Sequence, residues 1–179
     1  MIISQELRKS NIAEYLLYMF YIEDILRALS FNEEMINNHI IRTYSKEQTQ
    51  DAVLWYNGLC DMMKNENVIN KGHIHIISNL INEAESFLKK ALDYDDEELK
   101  NSYSAILPVF KEIQSRNNNE LPNIGIFEMT INIMYWYMAQ KMAGHQLNEL
   151  QSEQIKNISV FLSVLSTRFK SFENGEYEL

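Results

Sequence analysis

The sequence is short of the residues that break helices and of those that build covalent or metal frameworks. Five glycines and two prolines among 179 residues leave little material for the turns of a β-rich fold. The single cysteine, Cys60, excludes an intrachain disulfide. No Glu-x-x-His pair occurs anywhere in the chain, which removes the di-iron carboxylate bundle from consideration. Nor is there a glycine-rich nucleotide loop or a local nucleophile motif. Positive charge is also scarce. Sixteen basic against 25 acidic residues give a formal charge of −9, which repels phosphate backbones, and the densest basic groups are the pairs Arg8-Lys9 and Lys89-Lys90. Nucleic acid is therefore not an expected partner.

What the chain holds in quantity is apolar and helix-forming residues. Apolar side chains make up 46% of the sequence, enough for one domain of this length to bury about 70% of its unfolded surface. The periodicity predicts an all-α fold, a six- or seven-helix bundle in a single domain over residues 1–179, with 173–179 a frayed tail. Leu16 to Ile22 is strongly apolar, but Glu14, Glu23, Asp24 and Arg27 interrupt it well short of the run of about 20 residues that a membrane helix needs. The first residues hold no apolar run of signal-peptide length, and the expected location is cytoplasmic.

Two stretches, Ile12 to Leu29 and Ile124 to Met142, are apolar on almost every face and are expected to be wrapped by other helices at the centre of the fold. The first helix should run from about Ser10 to Leu29, with Asn11 and Glu14 as a capping box, and a short helix should cover about Asn32 to Tyr44. Ser45-Lys46-Glu47-Gln48 reads as a second capping box, opening a helix that turns Ala52, Tyr56, Leu59, Cys60 and Met63 to one side. After a polar loop from Asn65 to Gly72, a stripe of Ile77, Leu80, Ile81, Ala84, Phe87 and Leu88 predicts a fourth helix. The acidic run Asp93 to Glu98 lacks the glycine and spacing of a calcium loop and suits a helix N-terminus, a docking patch for a basic partner being the alternative. The next helix should kink or break near Ala105, because Pro108 cannot donate to the carbonyl of Ser104. Asn117 to Asn119 and Pro122 form the following connection, Gly144 closes the sixth helix, and the last helix starts near Ser152 on the outside of the bundle.

Chemistry-bearing residues are few. A rotation of about 100° per residue puts Glu23 inside the apolar arc with Ile12, Leu16 and Met19, whereas Asp24 and Arg27 point to a narrow polar side. A buried carboxylate costs several kcal/mol unless it is paired, so Glu23 needs a partner. On the fourth helix His73 falls with Ile77, Leu80 and Ala84 while His75 turns away, so the two imidazoles make a poor chelate and no metal is expected. Glu23 and His73 are thus the catalytic candidates: a carboxylate that orients an imidazole makes a general base, and the same contact can equally be a polar pair that sets helix register. Tyr15, Glu128 and Tyr135 join them as ligand-binding candidates. Glu128 is a candidate to meet Glu23 across the core, and the tyrosines at 15, 18, 21, 135 and 137 with Trp136 suit the lining of a pocket or a dimer interface.

The segments Asn11-Ile-Ala-Glu-Tyr-Leu-Leu-Tyr-Met-Phe-Tyr-Ile-Glu-Asp-Ile-Leu-Arg and Met63-Lys-Asn-Glu-Asn-Val-Ile-Asn-Lys-Gly-His resemble a helical family of Bacteroidetes catalogued as domain of unknown function 4924. The resemblance implies a bacterial, cytoplasmic, all-helical single domain over nearly the whole chain, and it supplies no activity, cofactor or catalytic residue. The expected role is a protein-interaction or structural module whose partner is another protein or a second copy, as a homodimer. The alternative is a small-molecule-binding or catalytic bundle in which Glu23 and His73 line an internal pocket.

Overall fold

A computed structural model describes residues 2–116 and 123–178. The described residues form eight α-helices and one short 3-10 helix, with no strand among them, so the all-α class holds and the helix number exceeds the six or seven expected. The extra helix comes from the N-terminus. Ile2–Ser10 (α1) and Ile12–Ala28 (α2) are separate, because Asn11 adopts an extended backbone and its side chain accepts the amides of Ala13 and Glu14. Its own amide group then donates to the Glu14 carboxylate at 3.0 Å, so the pair closes through side chains rather than as a reciprocal capping box.

Glu33–His39 (α3) and a 3-10 turn at Ile41–Thr43 replace the single short helix expected there. Lys46–Asn65 (α4) buries Ala52, Tyr56, Leu59, Cys60 and Met63, the side its spacing predicts, although Ser45 makes no side-chain cap. His75–Asp93 (α5) carries its predicted stripe into the core. Glu97–Arg116 (α6) runs through Pro108 without the expected break. Ile126–Met142 (α7) ends as predicted at Gly144, which has φ 82° and donates to Lys141 while His145 donates to Gln140, a Schellman motif. Glu149–Glu173 (α8) starts earlier than expected, on a true capping box of Asn148 and Gln151. The connection expected at Asn117 to Pro122 lies outside the described residues.

The core sits where α2, α5, α6, α7 and α8 meet. The last helix keeps a polar outer face, yet its inner side reaches α2, α5, α6 and α7, with Ile158, Phe161 and Leu165 fully enclosed. Beyond α8, Tyr177 packs on Phe87 and hydrogen-bonds Asp96 at 3.1 Å, which ties the residues after 173 to the start of α6. Asp96 is also the cap of α6: it accepts the amide of Leu99 at 3.0 Å and the guanidinium of Arg168 at 2.7 Å. Burial alone would raise its carboxyl pKa, but Arg168, the Leu99 amide and Tyr177 together outweigh it and hold the group below its ordinary value.

The turn after α2 runs against residue preference. Ser30 and Phe31, at φ 53° and 56°, are consecutive left-handed residues where α2 ends, and the amide of Phe31 donates to Leu26. Glycine is the residue that adopts this backbone without a penalty of about 1 kcal/mol or more. Ser30→Gly is accordingly expected to raise unfolding stability by about 1 kcal/mol in urea denaturation; an unchanged or lowered midpoint would refute strain at this turn. At the other end of the bundle, Asp96→Asn keeps a cap acceptor but removes the charge facing Arg168. It should cost about 1–2 kcal/mol at neutral pH. Because the folded carboxyl is depressed, that contribution is present above the unfolded value of about 3.9 and fades as pH falls through the lower folded one. Wild type and variant should therefore converge in thermal melts taken below about pH 4.

Candidate functional site

Glu23 is fully buried on α2, and the structure brings His73 to it. His73 Nδ1 donates to Glu23 Oε2 at 2.5 Å, and the backbone amide of Ile74 donates to Oε1 at 3.0 Å. Both carboxylate oxygens thus have a donor, which is the condition for keeping the group in an apolar core. His73 is not on a helix as its spacing suggested, because α5 begins at His75. It stands in the preceding loop with its ring stacked on Phe20 at 3.8 Å between centroids and 13° between planes. Since a carboxylate accepts, Nδ1 carries the proton of this bond, and the side chain is 24% exposed.

Arg27, one turn further along α2, holds the same loop. Its guanidinium donates to the carbonyl of Val68 at 3.1 Å, to the carbonyl of Gly72, and to Asp24 at 2.9 Å. Gly72 has φ 83°, a conformation that lets the chain turn back so its carbonyl meets Arg27 while the next two residues meet Glu23. The sequence reading put Arg27 on a polar face without a target, since nothing in a single chain says which loop will lie over that face. Two side chains four apart on one helix therefore clasp residues 68–74.

The other candidates are placed differently. His75 is exposed, with Nδ1 3.8 Å from the Glu66 carboxylate. No three His, Cys, Asp or Glu side chains among the described residues are grouped to hold a metal ion. Glu128 stands half-buried in the first turn of α7, and the bonds that satisfy Glu23 come from His73 and Ile74 rather than from it. Tyr15 is half-buried; burial raises its hydroxyl pKa, Arg8 opposes the rise and Glu23 adds to it. Tyr135 donates to Asp24 at 2.7 Å and meets Phe20 edge-on, and burial followed by the Asp24 bond pushes its hydroxyl up.

Neither Glu23 nor His73 lines the larger cavities. The most apolar of these is an open groove of about 820 Å³ along α2 and α7. Leu17, Tyr18, Tyr21 and Ile25 form one wall and Tyr135, Met138 and Met142 the other, with Glu14 and Asp24 its two charged lining residues. Tyr21 is 39% exposed, Met138 41% and Met142 67%. The expectation that α2 and α7 are wrapped on every side is thus corrected: each buries one apolar face in the core and shows a second to solvent. Burial first and Tyr44 second push the Tyr18 hydroxyl up to about 12, so it enters this wall as a neutral phenol.

If Glu23 is the clasp for the loop, Glu23→Leu leaves the Ile74 amide and the His73 ring without their acceptor. A loss of about 2–4 kcal/mol is expected in urea denaturation, together with faster amide exchange over residues 68–74. Unchanged stability and exchange would show that the carboxylate does not hold the loop.

No helix among the described residues is long and apolar enough to cross a membrane. Comparison with curated proteins and with solved structures yields no match. A family model does match, over residues 1–176, and the chain belongs to that family, described as Domain of unknown function (DUF4924).

Proposed function

We propose that this protein is an interaction module that seats a helical segment of another protein along its α2 and α7 face. The observation that carries the reading is the groove itself, in which Tyr18, Tyr21, Ile25, Tyr135, Met138 and Met142 line an open trough on adjacent helices. Contiguous exposed apolar surface is costly in water and marks a contact surface. Residues spaced three and four apart on two helices suit a helical occupant laid between them. Methionines on the rim adapt their shape to what they meet, and tyrosines supply contact area at low entropic cost.

A second reading, a catalytic bundle, draws support from one feature: Glu23 holds Nδ1 of His73 and so orients a partly exposed imidazole. Neither residue lines the groove along α2 and α7, whose walls are other side chains. The same two residues have a complete explanation as a loop clasp.

Site-specific photocrosslinking tests the interaction reading. With benzoylphenylalanine in place of Tyr21, irradiation in native cell extract is expected to give discrete heavier adducts. The same probe at Val160, a more exposed position on α8, should give none. Absent adducts, or the same pattern at both positions, would refute docking at this face.

A further inference from the structure

The charges that line the groove and its size narrow the occupant. Of the twelve residues forming the trough, the two charged ones, Glu14 and Asp24, are both acidic, and no lysine or arginine is among the twelve. Asp24 bonds to Arg27 and Tyr135 at the inner edge, but its side chain remains 53% exposed. Glu14 is exposed and accepts from the neutral side-chain amide of Asn11 at 3.0 Å. The whole chain carries −9. A second copy would bring the same acidic pair and the same net charge to the face, a juxtaposition that costs rather than contributes. The dimensions argue the same way. From Glu14 to Ala28 the wall of α2 is about 21 Å long, and two helix widths give a footprint of about 400 Å², half the roughly 800 Å² per partner of a standard stable interface. That is the size of one helix of about four turns laid in a trough.

Resting on the interaction reading above, we infer that the α2 and α7 groove binds a basic amphipathic helix of about four turns. Its apolar stripe fills the space between Tyr21 and Met138, and its flanking lysines or arginines face Glu14 and Asp24. A neutral or acidic helix of the same apolar pattern would fill the trough equally well but lose the charge match. Steering by the acidic rim acts chiefly on association and should weaken as salt rises.

Two labelled model peptides separate these outcomes by fluorescence anisotropy on the full chain: an amphipathic 15-residue leucine and lysine helix, and its leucine and glutamate counterpart. The lysine peptide is expected to bind at least tenfold tighter. Its binding should weaken severalfold with Glu14→Gln and at least tenfold with the charge-neutral pair Tyr21→Ser and Met138→Ser, whose folding is checked by circular dichroism. Equal or tighter binding of the glutamate peptide overturns the charge assignment. Lysine-peptide binding that ignores the paired serine variant overturns the site, because the peptide is then held elsewhere on the acidic surface. A dimer in sedimentation equilibrium that the same variant abolishes overturns the proposal in favour of a second copy. Crosslinking at Tyr21 with a failed lysine peptide removes only this inference; the loss of both removes the interaction reading as well.

Discussion

A carboxylate with no exposure to water is the constraint on which the rest of this structure depends. Glu23 cannot remain in the core unless each oxygen meets a donor, and the donors it finds, the His73 ring and the Ile74 amide, lie immediately before α5. Satisfying the charge therefore fixes where α5 begins. The same device recurs one helix later. Glu85 of α5 accepts the amide of Phe127 at 2.8 Å, at the start of α7, and a Cβ on Gly125 would come within 2.3 Å of that carboxylate. Neither Ile74 nor Gly125 offers a side-chain cap of its own. In both cases an acid from another helix supplies what the local sequence omits, and the starts of α5 and α7 are each held by a charge that a first-turn dipole favours.

Reading the chain by period recovered what depends on one helix at a time. The inward position of Glu23, the buried stripe of α5, the side of α4 that holds Cys60 and the glycine stop of α7 all follow from spacing and from local backbone rules, and the fold shows them. What escaped depends on two elements at once. Glu85 looks like an ordinary surface acid until α7 is placed beside it, and Arg27 looks solvated until residues 68–72 fold over it. Of the kink or break expected near Ala105 the break does not occur, because a proline removes one backbone bond without forbidding the helix, and burial of Leu99, Ile106, Val109 and Phe110 on either side holds the segment together. Ser30 and Phe31 carry no turn signature, yet the end of α2 requires a left-handed backbone there.

The clearest divergence concerns α2 and α7, and its physical cause is also the source of the functional reading. Near-uniform apolarity around a helix has two structural solutions. Other helices can enclose it, or one side can face the core while the other awaits a partner; the hydrophobic pattern is the same in both. Composition and periodicity cannot choose between them, whereas exposed Tyr21, Met138 and Met142 do.

The clasp and the groove occupy opposite sides of α2, and this arrangement bears on how well the face can bind. Phe20, Glu23 and Arg27 anchor the helix from within and from the loop side, while Leu17, Tyr21 and Ile25 look outward. Asp24 joins the two systems, bonded to Arg27 on one side and to Tyr135 of α7 on the other. The two walls are therefore tied to each other across the floor of the trough as well as to the core behind it. A surface whose backbone is already fixed loses little conformational freedom when it is covered, so more of the apolar contact appears as affinity. The polar interactions buried in α2 are then best understood through what they hold still: they keep an apolar face open and rigid in water, where an unrestrained pair of helices would close it.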